Sequence, residues 1–196
     1  MKKLILLLAA AAMLASCGPK ANYTVVGRPL PGSRAKGAHL VEYLVDTLVR
    51  SKCIIGEGAF NIKGHVDEPI FVRCVQNDGF SEWAFILEPG IIYLSDTDNS
   101  ASGTPLNDAV VEVQNKLRNV YYLAREDQDP DALAREIVTD FCKTHGNDIA
   151  GAYILCGAYT IFSPDELKAI LASAGPVFLE SEFIAFMKKS VKALND

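Results

Sequence analysis

The sequence predicts an α+β fold, in which an N-terminal antiparallel β-sandwich or partly open barrel of about seven strands precedes a C-terminal bundle of about five helices. Two observations predict it. From residue 23 to about residue 96, apolar and polar side chains alternate with the period of half-buried strands. After a polar loop at residues 96–103, the apolar side chains follow the period of amphipathic helices. The expected units are a β-sandwich-like domain, residues 23–103, and a helical domain, residues 104–196.

Seven segments have the alternating pattern of strands, and the clearest is residues 59–66. There Phe60, Ile62 and Val66 would face a core while the residues between them face solvent. The Gly-Glu-Gly sequence at residues 56–58 predicts a tight hairpin turn just before this strand. The seven segments are residues 23–28, 40–45, 52–55, 59–66, 70–75, 82–87 and 91–95.

Capping signals mark the start of several helices in the second half. Asp129 is predicted to be an N-cap, with Pro130 at the first helical position, and Ser163 with Glu166 has the form of a capping box. The Gly-Asn pair at residues 146–147 and the Gly-Pro pair at residues 175–176 interrupt the helical pattern. We therefore expect separate helices rather than one long rod.

The N-terminus has the pattern of a secretory signal. A charged start is followed by an apolar run at residues 4–15, which is too short to span a bilayer. The sequence Leu-Ala-Ser-Cys at residues 14–17 resembles a bacterial lipobox, which implies cleavage before Cys17 and acylation of that cysteine, palmitate included. Residues 1–16 are then a signal peptide and residues 17–22 a lipid-anchored tether. The expected location is the cell envelope, at the outer membrane facing the periplasm.

Composition limits the partners. Without residues 1–16 the chain has 17 basic and 24 acidic side chains, a net charge of −7. Nucleic acid is not an expected partner for such an acidic chain. With about 180 residues the mature chain can bury a sizeable core without covalent staples, so disulfides are not required for stability.

Four cysteines remain beyond Cys17: Cys53, Cys74, Cys142 and Cys156. An even number in an exported chain allows two disulfides. However, the strand at residues 59–66 is expected to lie between those of Cys53 and Cys74, which would separate them by two strand spacings of about 4.8 Å. Cys142 and Cys156 are offset along neighbouring helices. We interpret all four as buried reduced thiols, and the alternative is a redox pair among them.

Other reactive patterns are weak. Cys142 and His145 are spaced as metal ligands can be, but the sequence supplies no further ligands at suitable spacing. Asp96, Asp98 and Ser100 resemble the first positions of a calcium loop, yet that loop's glycine and bidentate glutamate are missing. No catalytic residue, cofactor-binding residue or metal ligand is predicted, and we expect neither a cofactor nor enzymatic activity.

Three segments together carry a family resemblance. They are Phe-Asn-Ile-Lys-Gly-His-Val at residues 60–66 followed by Glu68 and Pro69, Phe-Ile-Leu-Glu-Pro-Gly at residues 85–90, and Gly-Thr-Pro-Leu-Asn-Asp at residues 103–108. In this order they resemble the domain of unknown function that precedes an AhpC/TSA or TlpA-like thioredoxin domain in lipoproteins. The Trp-Cys-x-x-Cys site of that thioredoxin module is absent, and the sole tryptophan, Trp83, has no cysteine beside it.

The resemblance implies a non-catalytic unit that positions or recognises. We therefore expect a membrane-anchored binding or interaction module, accessory to a thioredoxin-like envelope partner that docks where the helices meet the sheet. Two alternatives stay open. One is a thiol-disulfide redox protein that uses a cysteine pair outside a Cys-x-x-Cys motif. The other is a lipoprotein that binds a small apolar ligand between its two halves.

Overall fold

The chain folds as strands followed by helices, so the predicted α+β class is confirmed. The structure is a computed structural model that describes residues 20–29, 32–43, 49–56, 58–78, 82–125 and 127–194. The strands are β1 (Tyr23–Gly27), β2 (Gly37–Glu42), β3 (Val49–Ile54), β4 (Phe60–Gly64), β5 (Ile70–Gln76), β6 (Glu82–Leu87), β7 (Gly90–Leu94) and β8 (Ala101–Ser102). The short β8 lies within the predicted polar loop.

Six α-helices follow within the described residues. They are α1 (Pro105–Leu123), α2 (Pro130–Thr144), α3 (Ile149–Ala158), α4 (Pro164–Ala172), α5 (Pro176–Leu179) and α6 (Glu182–Ser190), with 3-10 turns at Tyr159–Ile161 and Lys192–Leu194. The predicted caps are confirmed. Asp129 accepts hydrogen bonds from two backbone N–H groups at the start of α2, and Ser163 and Glu166 form a reciprocal capping box at the start of α4.

The strands form two four-stranded sheets, and these are not closed into a barrel. The first sheet has the order β4-β1-β7-β8 and the second β3-β2-β5-β6. Because β1 runs parallel to β7, the first sheet is mixed, and the expectation of a wholly antiparallel β-half is wrong. The chain leaves β1 for the second sheet and returns to the first only later, and such a crossover is what parallel neighbours need.

The tight turn predicted at residues 56–58 is present, since the Ala59 N–H donates to the carbonyl oxygen of Gly56 at 2.9 Å, but the strands that it joins belong to different sheets. These residues connect β3 of the second sheet to β4 of the first, and a single bridge between Gly56 and Ala59 is the only pairing described there. Glu57 lies outside the described residues. The turn therefore passes the chain from the second sheet to the first.

Side chains from both sheets meet in one buried cluster. Phe60 and Ile62 on β4 are buried, as their alternation predicts, and so are Trp83 and Phe85 on β6. The Trp83 indole Nε1 donates to the carbonyl oxygen of Ser95 at 2.7 Å, which satisfies its polar atom inside the core. The two sheets therefore enclose a common apolar core.

The helices cover the outer face of the second sheet. Phe71 on β5 and Ile86 on β6 are buried among helix side chains rather than in the core between the sheets. The Phe71 ring lies 4.4 Å from the ring of Tyr153 on α3 and 5.0 Å from that of Phe183 on α6, measured between centroids. Tyr43, after β2, adds a ring 5.1 Å from Phe71. The helical half thus shares an apolar interface with the sheet.

Three polar residues, Glu88, Thr104 and Asn107, fix the start of α1 against β6, and we call them the junction clamp. The Glu88 carboxylate accepts from the backbone N–H groups of Leu106 at 2.9 Å and Asn107 at 3.2 Å. The Asn107 amide accepts from the N–H of Ile86 at 3.0 Å and donates to its carbonyl oxygen at 2.7 Å. It also donates to the Thr104 hydroxyl at 2.8 Å. The clamp therefore holds helix and sheet in one register.

Candidate functional site

The predicted lipid attachment residue, Cys17, lies outside the described residues, as does the predicted signal peptide. In the part of the chain that the structure does describe, no helix is both long enough and apolar enough to cross a bilayer. The lipid anchor therefore stays a prediction.

The first cysteine pair is separated by a strand, though not by the one expected. Cys53 lies on β3 and Cys74 on β5, with β2 between them, whereas the sequence analysis placed residues 59–66 there. The correction arises because β4 belongs to the other sheet. Two strand spacings of about 4.8 Å exceed the reach of a disulfide. Both residues are free thiols.

The second pair lies on adjacent helices. Cys142 on α2 is buried, and its Sγ lies 3.9 Å from the carbonyl oxygen of Gly151 on α3. Cys156, nearer the other end of α3, is half-buried, and both are free thiols. Five residues of α3 separate Gly151 from Cys156, a rise of about 7.5 Å along the helix. Neither pair of cysteines is joined by a disulfide in this geometry, which therefore does not support the redox alternative.

Burial should make the Cys74 and Cys142 thiols slow to react. Loss of hydration raises the pKa of Cys74 to about 12 and that of Cys142 to about 12. Because the thiolate is the reactive form, we expect iodoacetamide to leave both unmodified in the folded protein, even at about pH 9, and to modify Cys53 and Cys156 first. Mass spectrometry of the mature protein, purified without reductant, should find four free thiols after unfolding. Two missing thiols restored by reductant would favour the redox alternative.

The side chains considered as metal ligands, His145 and Asp98, form hydrogen bonds with other residues of the protein. His145 Nδ1 lies 2.7 Å from Asp148 Oδ2, while the other Asp148 oxygen caps the start of α3. In the loop before β8, Asp98 accepts from the backbone N–H and the hydroxyl of Ser100 at 3.1 and 2.7 Å. Among the described residues no group of three or more His, Cys, Asp or Glu side chains is placed to hold a metal ion.

The junction between the two halves, where we expected a partner or an apolar ligand, is filled by side chains. Phe71, Ile86 and Phe183 are all buried there. The cavity that remains beside them has a volume of about 160 Å³, below the roughly 300 Å³ at which small-molecule sites begin. Three of its lining residues, Glu42, Glu180 and Glu182, are acidic. An apolar ligand would find little room here.

A better candidate is the C-terminal end of α1. Tyr121, Tyr122 and Leu123 are consecutive, and their exposed fractions are 50%, 81% and 72%. Consecutive helical residues point about 100° apart, so exposure of all three means that the end of α1 projects from the body of the protein. Leu133 on α2 is also exposed and Val120 is half-buried. We call these five residues the α1 end surface.

Two grooves border this surface. The groove between α1 and α3 has a volume of about 320 Å³, and Tyr121 lines it together with Ile154 and Ile161. The groove between α1 and α2 has a volume of about 370 Å³, and Leu123 and Leu133 line it. The last turn of α1 is therefore an apolar ridge with an open groove on each side, a shape that a partner's side chains could fill.

Polar side chains also line both grooves: Gln114 and Thr160 lie in the α1–α3 groove, and Lys116, Asn119 and Gln128 in the α1–α2 groove. In the α1–α3 groove the Gln114 amide donates to the Tyr153 hydroxyl at 3.4 Å, and burial raises the pKa of that phenol. At the ridge itself the Tyr121 hydroxyl donates to Asp131 Oδ1 at 3.0 Å, which restrains its ring. Restrained tyrosines with apolar rings and one polar atom are suited to protein contacts.

No protein-family model, curated protein or solved structure matches this chain. The similarity to the domain that precedes a thioredoxin module therefore stays a prediction. The three segments that carry the resemblance have structural roles. Phe60 and Ile62 lie in the core, and Glu88, Thr104 and Asn107 form the junction clamp. They stabilise the fold and do not line either groove.

Sequence reasoning missed the α1 end surface, although a signal was present. Tyr121 lies on the apolar stripe of α1 with Val113 and Leu117, but Tyr122, Leu123 and Ala124 follow it before Arg125. A helix that packs on one side cannot bury three consecutive side chains, so at least one had to be exposed. A run of large apolar residues at the end of an amphipathic helix was the available indication.

Proposed function

We propose that the protein is a lipid-anchored cell-envelope protein, attached at Cys17 to the outer membrane on its periplasmic side, that acts as a non-catalytic interaction module. The observation that carries the proposal is the α1 end surface. Contiguous exposed apolar side chains on a soluble domain favour contact with another macromolecule, whereas isolated ones need no explanation. The anchor rests on the lipobox pattern at residues 14–17.

Energetic reasoning supports a protein partner at this surface. Tyr121, Tyr122 and Leu123 are exposed, although burial of the leucine side chain alone would contribute roughly 1.5–3 kcal/mol of free energy. Tyrosine is enriched among residues that dominate binding energy, and here Tyr121 lines the α1–α3 groove while the neighbouring Tyr122 is exposed. Arg125 and Asp127, which form an ion pair at 2.9 Å, and Asp131, which accepts from the Tyr121 hydroxyl, supply charged groups beside this surface.

The proposed partner is a thioredoxin-like envelope protein. This choice comes from the resemblance at residues 60–66, 85–90 and 103–108, because relatives of that type carry the thioredoxin module in the same chain. We propose that this unit makes the same pairing with a thioredoxin module. The α1 end surface, which begins at Val120, twelve residues after the last of the three segments ends, would be the point of contact.

The test is site-specific cross-linking in intact cells. A photo-reactive amino acid in place of Arg125 should capture an envelope protein that contains a Trp-Cys-x-x-Cys module. The double variant Tyr122→Ser with Leu123→Ser should reduce this capture at least tenfold, because both side chains are exposed ridge residues. Its free energy of unfolding should change by less than about 0.5 kcal/mol, since neither side chain is buried.

The matched control is Ile54→Ser. Ile54 is an exposed aliphatic residue, 86% accessible, on β3 in the other half of the protein, so its loss should leave capture unchanged. Capture that survives the double variant would contradict docking at the α1 end surface. If probes placed on both halves of the protein capture no other protein, the result would contradict the interaction-module proposal itself.

A second candidate function is capture of a small apolar ligand. The α1–α3 groove favours it, since its volume of about 320 Å³ falls within the range of small-molecule sites and its walls are mainly apolar with a few polar groups. Native mass spectrometry of the protein released gently from membranes would detect a bound lipid or metabolite. Ala158→Phe, which places a ring at the groove wall, should then displace it.

A further inference from the structure

The fold begins within a few residues of the predicted lipid. Asn22 donates its backbone N–H to the carbonyl oxygen of Gly64 and accepts at its own carbonyl oxygen from the N–H of Gly90, both at 2.9 Å. Its side-chain amide donates to the carbonyl oxygen of Val66 at 2.7 Å and accepts from the Val66 N–H at 2.9 Å. Four hydrogen bonds thus tie this residue to two strands and the segment beyond β4.

Contact with the fold starts even earlier, at Lys20. The His65 Nδ1 donates to the carbonyl oxygen of Lys20 at 2.9 Å, and the His65 Nε2 lies 3.0 Å from Asp67 Oδ1. The 17–22 segment that the sequence predicts as a tether is therefore engaged from residue 20 onward. We call Lys20, Asn22, His65, Asp67 and Glu68 the anchor corner.

Covalent geometry then limits how far this corner can lie from a lipid on Cys17. Three Cα–Cα steps of about 3.8 Å join residue 17 to residue 20, a reach of about 11 Å at most. The headgroup layer of one leaflet is about 5–8 Å thick. By comparison, α1 alone, with 19 residues, is about 28 Å long. The corner cannot move away from the bilayer by even half of that length.

We infer that the anchor corner is a contact surface for zwitterionic phospholipid headgroups, so that the protein rests on the bilayer in a fixed orientation instead of moving freely on a tether. The inference rests on the proposed lipidation of Cys17. The corner supplies partners for both charges of such a headgroup: Lys20 and His65 for the phosphate, Asp67 and Glu68 for the ammonium. All four residues are exposed.

The shape of the corner agrees with this occupant. A cavity of about 410 Å³ opens there, lined by His65, Asp67 and Glu68 together with Tyr23 and Ile70. Its volume is in the range of small-ligand sites. The Asp67 side chain is 95% accessible, so its carboxylate can turn toward a headgroup while His65 stays bonded to Lys20.

The experiment uses the full acylated protein in vesicles of phosphatidylethanolamine and phosphatidylcholine. A photo-reactive amino acid replaces Glu68, which leaves the His65–Asp67 contact in place, and lipid adducts are counted by mass spectrometry. The matched control places the same amino acid at exposed Ala59, which precedes His65 by six residues, about 20 Å along the strand. We expect at least tenfold more lipid adducts at position 68 than at position 59.

A second variant separates the contact from the anchor. Twelve Gly and Ser residues inserted between Pro19 and Lys20 add about 19 Å of mean reach and should reduce the adducts at position 68 at least fivefold, while Cys17 keeps its lipid. If Cys17 carries no lipid, the proposed function fails first. If the lipid is present but adducts at position 68 equal those at position 59, or persist with the linker, the headgroup contact is refuted.

Discussion

Asn107→Ala should destabilise the protein by roughly 3 kcal/mol, one of the two largest effects that we expect from a single substitution. The change deletes both hydrogen bonds between the Asn107 amide and Ile86, and leaves a backbone N–H and C=O of a buried strand without partners. Each unsatisfied buried group costs roughly 1–3 kcal/mol. The gain in helix propensity from alanine, roughly 0.5 kcal/mol, offsets only part of this loss.

Two probes would follow the unfolding of this variant in urea. Trp83, the sole tryptophan, reports on the core between the sheets, and circular dichroism at 222 nm reports mainly on the helices. Coincident transitions in the natural protein should become separate in Asn107→Ala, because the clamp that couples the two halves is lost.

Two matched variants sharpen the test of the clamp. Asn119→Ala, on the exposed side of the same helix, should change the free energy of unfolding by less than about 0.5 kcal/mol. Asn107→Asp should be at least as damaging as Asn107→Ala, since a carboxylate cannot donate to the Ile86 carbonyl oxygen and would face Glu88. If Asn107→Asp were neutral, the hydrogen bonds described for the clamp would be wrong.

Gly151→Ala should have an effect of similar size in the helical half. A Cβ at this position would overlap the backbone carbonyl oxygen of His145 and lie 2.9 Å from Cε2 of the Phe178 ring. Because a backbone atom cannot rotate away as a side chain can, α3 must shift from the turn after α2. Overpacking of this kind costs roughly 1–3 kcal/mol, and we expect the upper end of that range.

The control for this substitution lies in the same helix. Gly157→Ala meets no atom within 4 Å, and alanine is the better helix former, so it should leave stability unchanged or raise it by up to about 1 kcal/mol. Thermal unfolding of the two variants compares them directly. A Gly151→Ala protein as stable as Gly157→Ala would show that the α2–α3 turn is looser than described.

The parts of the fold that the sequence predicted are those with local causes. Alternation placed Ile62 and Trp83 in the core because strand side chains change face at every residue. Asp129 and Ser163 were recognised as caps because they bond backbone groups two or three residues away. Such patterns are complete within a short stretch of sequence.

The order of the strands could not be predicted in the same way. Nothing in the period of β1 distinguishes a parallel neighbour, β7, from an antiparallel one, and β2 rather than β4 came to separate Cys53 from Cys74. Pairing between distant strands depends on how crossovers and core volumes fit together over the whole chain. For the same reason the α1 end surface needed the structure, since helix length and packing decide which side chains remain outside.

Asn22 connects the start of the fold to the start of α1. The carbonyl oxygen of Asn22 bonds Gly90, two residues beyond Glu88, and Glu88 in turn bonds the first turn of α1. A force applied by a bound partner at the C-terminal end of α1 would thus act along a helix of about 28 Å. It would reach Asn22, near the predicted lipid, through the hydrogen bonds of Glu88 and Gly90. If the proposed partner binds the tip of α1 and the proposed lipid holds Cys17, the protein would transmit force and torque between these two attachment points.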